Sequence, residues 1–187
     1  MSDTDSETGD IPQHPPRKIP SILVTGTPGT GKTTTSEMIA NATGLEHIDV
    51  GKLCKEKNMY ESYMEDFDTH VLDEDKLLDE LEEVLAPGGK VVDFHTCEVF
   101  PERWFDLVIV LRTNNTVLYD RLQTRKYNER KVTENIECEI MQVVLDEAKA
   151  SYAEEIVIEL QSNSVDDMEE NVERTRQWVE AFKRNNA

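Results

Sequence analysis

The stretch SILVTGTPGTGKTTTSEMIA, residues 21–40, passes from an apolar run through a glycine-punctuated turn into a helical pattern. Its middle, GTPGTGKT from Gly26 to Thr33, fits G-x-x-x-x-G-K-[ST] without a gap, directly after a predicted strand and at the start of a predicted helix closed by Gly44. Gly26, Gly29 and Gly31 let the main chain turn tightly and aim several N–H groups inward. A polyphosphate can then exchange its water for fixed donors at a helix N-terminus. Lys32 is expected to bridge the β- and γ-phosphates, Thr33 to offer its hydroxyl to magnesium, and Thr34 to hydrogen-bond the α-phosphate. ATP with Mg2+ is the expected ligand.

Outward from this loop, short apolar runs alternate with helical patterns. The runs are HIDV (47–50), KVVDF (90–94), DLVIVL (106–111) and IVIEL (156–160). Between them, GKLCKEKN (51–58), an acidic helix with Leu77, Leu81 and Leu85 stopped by Pro87 and Gly88, NNTVLYDRLQTR (114–125) and a long helix from about Thr133 are expected. A last amphipathic helix covers 166–184, and the polar, aromatic-dotted segment 59–71 reads as mobile or ligand-facing. Together with the run before Gly26 this makes five strands, and the fold class is α/β: a five-stranded parallel sheet with helices on both faces, of the P-loop NTPase type. Ligands of such sheets lie at the carboxyl ends of the strands, where Gly26, Asp93 and Arg112 fall.

Length and composition agree with one domain. The chain has 187 residues, 37% of them hydrophobic, and no apolar run long enough for a membrane span. Residues 1–19 read as a flexible acidic tail and 20–187 as the folded domain. Cys54, Cys97 and Cys138 are widely spaced with no CxxC pair, against a zinc site or a disulfide framework and in favour of a reducing compartment. The net charge of −19 argues against adhesion to bulk nucleic acid or anionic lipid. It suits a basic protein partner, or serves solubility alone.

Asp93 ends a buried run with a carboxylate, as expected of an acid that holds magnesium's water shell beside a phosphate loop. His95, two residues on, shares roughly the same side of the strand end, where it could accept a proton or orient water; a hydrogen-bonded histidine without chemistry is the alternative.

The segments LVTGTPGTGKTT, VVDFHTCEVFPERWFDLVIVLRT, YDRLQTRKYNERK and ENIECEI closely resemble the adenylate kinase isoenzyme 6 family, also called coilin-interacting nuclear ATPase or Fap7-type proteins, from about Pro20 to Trp178. The resemblance implies a nucleoside monophosphate kinase-like fold with a monophosphate-binding region at about 49–72 and a lid at about 124–134. It implies adenylate kinase activity with acceptance of AMP, dAMP or CMP, ATP hydrolysis, and action in small-subunit ribosome maturation and 18S rRNA processing. The implied partners are a nucleoside monophosphate, a basic small-subunit ribosomal protein and the pre-40S particle; the implied state is a monomer in nucleus and cytoplasm.

By the same resemblance Gly29, Gly31, Lys32, Thr33 and Thr34 match the ATP-binding motif, and Arg125 matches the lid arginine that reaches ATP phosphates, with Arg121 a weaker candidate for that cluster. A solvated helix-end arginine is the alternative for Arg125. Ser164 falls in the loop expected near adenine, where a lysine can occur. Lys126 stands where the family often has glycine. Lys55 stands where many adenylate kinases place an arginine, giving a point charge without a bidentate fork.

Overall fold

Alternation along each central strand explains why the sheet is covered on both sides. In the computed structural model, which describes residues 16–64 and 69–187, β1 (Ile22–Gly26) turns Ile22 and Val24 to one face and Leu23 to the other. β6 (Leu107–Arg112) does the same with Leu107, Ile109 and Leu111 against Val108 and Val110. On the first face these residues meet Ile39 of α1 (Lys32–Thr43) and Val172 and Val179 of α7 (Val165–Asn185). On the second they meet Leu77, Leu81 and Leu85 of α3 (Glu74–Leu85) and Leu145 and Ala148 of α6 (Val143–Ser151).

With β2 (Glu46–Asp49), β5 (Lys90–Asp93) and β7 (Val157–Gln161), the sheet runs β2-β5-β1-β6-β7 with every neighbouring pair parallel. The chain leaves β1 through α1 toward β2, and later crosses from β5 past β1 to β6. The carboxyl ends of β1 and β5 therefore meet where the winding reverses, the place where open sheets bind ligands. Among the described residues no helix is long and apolar enough to cross a membrane.

Three segments differ from their sequence reading. The ligand-facing stretch forms an antiparallel hairpin, β3 (Tyr60–Met64) with β4 (Thr69–Leu72), after α2 (Val50–Glu56). Its tyrosines and β-branched residues favour extended chain, but a break in strand register between Tyr60 and Ser62 hides the alternation from a reading of period two. The helix expected from Thr133 starts four residues earlier: α5 (Glu129–Ile140) is capped by Asn128, whose Oδ1 accepts from Lys131 N at 2.8 Å. Thr133, inside that helix, donates its hydroxyl to Glu129 O at 3.0 Å. The helix then stops, because Gln142 at φ 57° turns the chain before α6 begins.

The folded part also begins before Pro20. Arg17 holds both Asp106 carboxylate oxygens at 3.1 Å and Arg103 O at 2.8 Å. The rest of the expected tail, residues 1–15, lies outside the described residues.

Candidate active site

Gly29 and Gly31 lie at φ 95° and 90°, and a Cβ on them would come within 2.8 Å of Leu118 Cδ1 and 2.6 Å of Met168 Cε. The loop therefore needs glycine for its backbone and for its neighbours. Gly31 is the N-cap of α1 and supplies no side-chain cap, which leaves the first-turn N–H groups, those of Lys32, Thr33 and Thr34 among them, facing the loop's interior. The loop is braced by Ser162, which donates to Thr30 O at 2.6 Å, and by Thr30, which donates to Thr27 O at 2.8 Å.

Lys32 folds back and donates from Nζ to Thr27 O at 3.2 Å. The surrounding loop strips water from this ammonium and pulls its pKa down to about 8; Asp93 opposes that shift and Arg125 adds to it. Thr33 donates its hydroxyl to Asp93 Oδ2 at 2.7 Å, and the same oxygen lies 3.3 Å from His47 Nε2. Asp93 is only 3% exposed, and Thr33 and His47 are the side chains that hydrogen-bond its carboxylate. The hydrogen bond to Asp93 raises the His47 pKa against the effect of burial. Thr33 and Asp93 are hard oxygen donors, and magnesium bound mainly through phosphate and water requires one or two such protein groups. The pair fits that cation. Among the described residues no group of three or more His, Cys, Asp or Glu side chains could hold a metal ion.

Beyond the loop opens a cleft of about 510 Å³. Lys32, Thr33, Asp93, His95, Arg125 and Lys131 line it together, while Asp49, Cys54, Lys55, Tyr60, His70 and Leu72 line it from the side of α2 and the hairpin. His95 opens to the cleft with its ring 4.6 Å from that of Phe94. The protein packed around it and the Lys32 ammonium pull its pKa down to about 4, against Asp93, so at neutral pH it is an uncharged hydrogen-bonding group. Arg125 is the C-cap of α4 (Asn115–Thr124). α4 and α5 share a small core of Leu118, Leu122 and Val132 with Tyr127 and Ile136, which makes the lid span a helical hairpin. Its turn passes through Lys126 at φ 58°, a left-handed conformation where glycine carries no penalty.

Two expected residues do not line this cleft. Arg121 points its NH1 at Ser162 O (2.9 Å), Gly29 O and Thr113 Oγ1 (both 3.3 Å), so it ties the phosphate loop to the loop after β7 and does not line the cleft. Ser164 is exposed, and its hydroxyl caps α7 by accepting from Asp167 N at 3.1 Å. Four cleft or near-cleft residues are not named individually by the sequence reading: His47, and Tyr60, His70 and Lys131, which lie inside the segments it marks as ligand-facing and as the lid. His47 had a signal, since it sits two residues before the end of β2, and Asp49 there pairs in register with Asp93. Lys131 had a weaker one as one of four basic residues within the lid span.

A glycine-built loop after the central strand, an ammonium folded back onto it, and a buried acid on the adjacent strand define a P-loop nucleotide-binding protein of kinase-like fold. A family model described as "AAA domain" matches residues 22–142. The shikimate kinase of Bacteroides thetaiotaomicron shares the fold at TM-score 0.57 and 18% identity, over 87% of this chain and 99% of that one. Two relatives are much closer in sequence. The adenylate kinase isoenzyme 6 homolog of Dictyostelium discoideum is 52% identical over 171 residues, 91% of this chain and 98% of the relative. The homolog FAP7 of Saccharomyces cerevisiae is 46% identical over 160 residues, 85% and 81% of the two chains. The chain belongs to the adenylate kinase isoenzyme 6 family.

Proposed function

We propose that the protein is an adenylate kinase that transfers the γ-phosphoryl group of ATP to AMP or a related nucleoside monophosphate, and that it also hydrolyses ATP. The observation that carries this reading is the continuity of the cleft: the same cavity reaches from Lys32 and Thr33 to the hairpin and α2, which leaves room for a second nucleotide beside the first. In the transfer, a phosphate oxygen of AMP attacks the γ-phosphorus, the bond to the β–γ bridging oxygen breaks, and ADP leaves while a second ADP forms. Lys32 and Arg125 balance charge on the spreading oxygens, and the α4–α5 hairpin excludes water when it closes. Magnesium held through Thr33 and Asp93 would neutralise phosphate charge. Lys55 supplies a cation on α2 for the acceptor phosphate.

The uncharged His95 in the cleft favours the second activity. Its ring nitrogen can accept a hydrogen bond from a water lined up on the γ-phosphorus, and the proton released by attack passes to phosphate or solvent. Two activities at one cleft suit a nucleotide-driven step in maturation of the small ribosomal subunit and its 18S rRNA. The acidic chain would there engage a basic small-subunit ribosomal protein of the pre-40S particle, as a monomer in nucleus and cytoplasm. An assembly ATPase with incidental kinase activity is the competing reading.

Product analysis from ATP with Mg2+, with and without AMP, CMP and the ribosomal protein, separates the two. Kinase action gives two ADP per AMP consumed without matching phosphate release. ADP formed only with equimolar phosphate, whatever monophosphate is added, would overturn the kinase reading.

A further inference from the structure

Tyr60 and Tyr63 are three apart on β3, so a regular strand would send their rings to opposite faces. The irregular register between Tyr60 and Ser62 cancels that alternation. Both rings instead reach His70 of β4: the centroids of Tyr60 and His70 are 4.6 Å apart at 31°, and those of Tyr63 and His70 are 5.0 Å apart at 53°. Of the three, Tyr60 and His70 line the cleft, with Leu72 next to them. Bulges placed beside functional sites re-aim side chains, and this one assembles an aromatic wall that the hairpin contributes to the cleft.

We propose that this wall is the platform for the acceptor's base, which stacks on the Tyr60–His70 pair. The inference rests on the acceptor site described under Proposed function and specifies how that site chooses among monophosphates. Lys32, Arg125 and Lys131 line the cleft together with Lys55 of α2, so cations and rings jointly orient a nucleotide: phosphate toward the cations, base toward the rings. Stacking accepts every base because every base has a π-face, and its strength grows with ring area. The wall thus ranks purine above pyrimidine acceptors without excluding either.

The test measures KM for AMP, CMP and ATP in the wild type and in His70→Ala, Tyr60→Leu and His70→Phe. His70 is exposed, so its replacement leaves the core untouched, and Tyr60→Leu keeps apolar bulk while removing the π-face. Loss of one stacking partner should raise KM for AMP roughly five- to hundredfold, raise that for CMP less, and leave KM for ATP unchanged. His70→Phe should retain wild-type preference. An unchanged KM for AMP, an unchanged AMP-to-CMP ratio, or an equal rise for ATP would overturn the proposal. Calorimetric titration with AMP alone separates this inference from the kinase reading. If the wild type binds AMP but transfers nothing to it, the kinase reading fails and the same variants decide the wall by affinity; if it does not bind AMP, both fall.

Discussion

Replacing Lys32 by Met should make the nucleotide-free protein more stable while removing its response to ATP. The loop holds this ammonium where it is poorly solvated, and the fall in its pKa from 10.5 to about 8 corresponds to roughly 3 kcal/mol at neutral pH. Water reaching the half-buried side chain reduces that figure, and Asp93 loses a favourable neighbour, so a gain of about 1–2 kcal/mol is expected, or about 2–6 °C in Tm for a domain of this size. The pH dependence identifies the cause. Below pH 8 folded and unfolded chains both carry the proton, and the advantage of the variant is full. Between pH 8 and 10.5 the unfolded chain binds more protons, wild-type stability rises relative to the variant by at most about 1.4 kcal/mol per pH unit, and the gap of about 1–2 kcal/mol closes within that window. Urea unfolding of both proteins at several pH values measures this difference, in which titrations common to both cancel. ATP with Mg2+ should raise Tm in the wild type alone. A variant that is less stable at pH 7, or a gap that does not change from pH 7 to 10, would refute the claim that the loop holds a strained cation.

His95→Gly should lower ATP hydrolysis roughly a hundredfold and AMP phosphorylation much less, measured as phosphate release against ADP formation; equal losses would mean that the ring only shapes the cleft. Because its pKa lies near 4, His95 should contribute no inflection to the wild-type rate between pH 5 and 8. Lys126→Gly should raise Tm by about 2–4 °C, since relief of a left-handed lysine is worth about 1 kcal/mol, and a lower Tm would show that the turn is not strained. His47→Gln should destabilise most below pH 6.5: the folded pKa is raised, so the bond to Asp93 contributes fully below the unfolded value and is lost as pH rises through the folded one. Thermal melts at pH 6 and pH 8.5 that show the same loss would contradict a charged pair.

The phosphate loop and the strands were legible because their signals are local. Gly29 and Gly31 announce positive φ, the buried strands announce themselves as apolar runs, and Asp93 stands out as an acid that ends one. What stayed hidden depends on partners far apart in sequence. Nothing around Arg121 shows that its guanidinium will be taken by the carbonyls of Gly29 and Ser162, 92 and 41 residues away. Ser164 precedes a helical pattern, and that cap signal describes its surroundings better than its proximity to the base loop does. The wall of Tyr60 and His70 requires a bulge, which a period-two reading averages away, and the break at Gln142 requires a left-handed residue that carries no glycine signature.

On the proposed function, the balance between transfer and hydrolysis would follow from how the two sides of the cleft are built. The phosphate-loop side is rigid: it stands on β1 and β5 inside the sheet and is braced by Ser162 and Arg121. The opposing β3–β4 hairpin is attached more lightly, as a two-stranded sheet of its own beside the main one. It can therefore shift as a unit at little expense to the main core. The α4–α5 pair is tied in more firmly, since Arg121 of α4 holds the phosphate loop and Glu139 of α5 pairs with Arg112 of β6. On the proposed function, an acceptor nucleotide would draw the β3–β4 hairpin inward, and its phosphate would occupy the line of attack and exclude water. With no acceptor, His95 would remain in the cleft beside Lys32 and Asp93, and water would take that line. A partner that held this hairpin open would therefore favour hydrolysis without touching Lys32, Thr33 or Asp93, and one fixed phosphate cradle could serve either outcome.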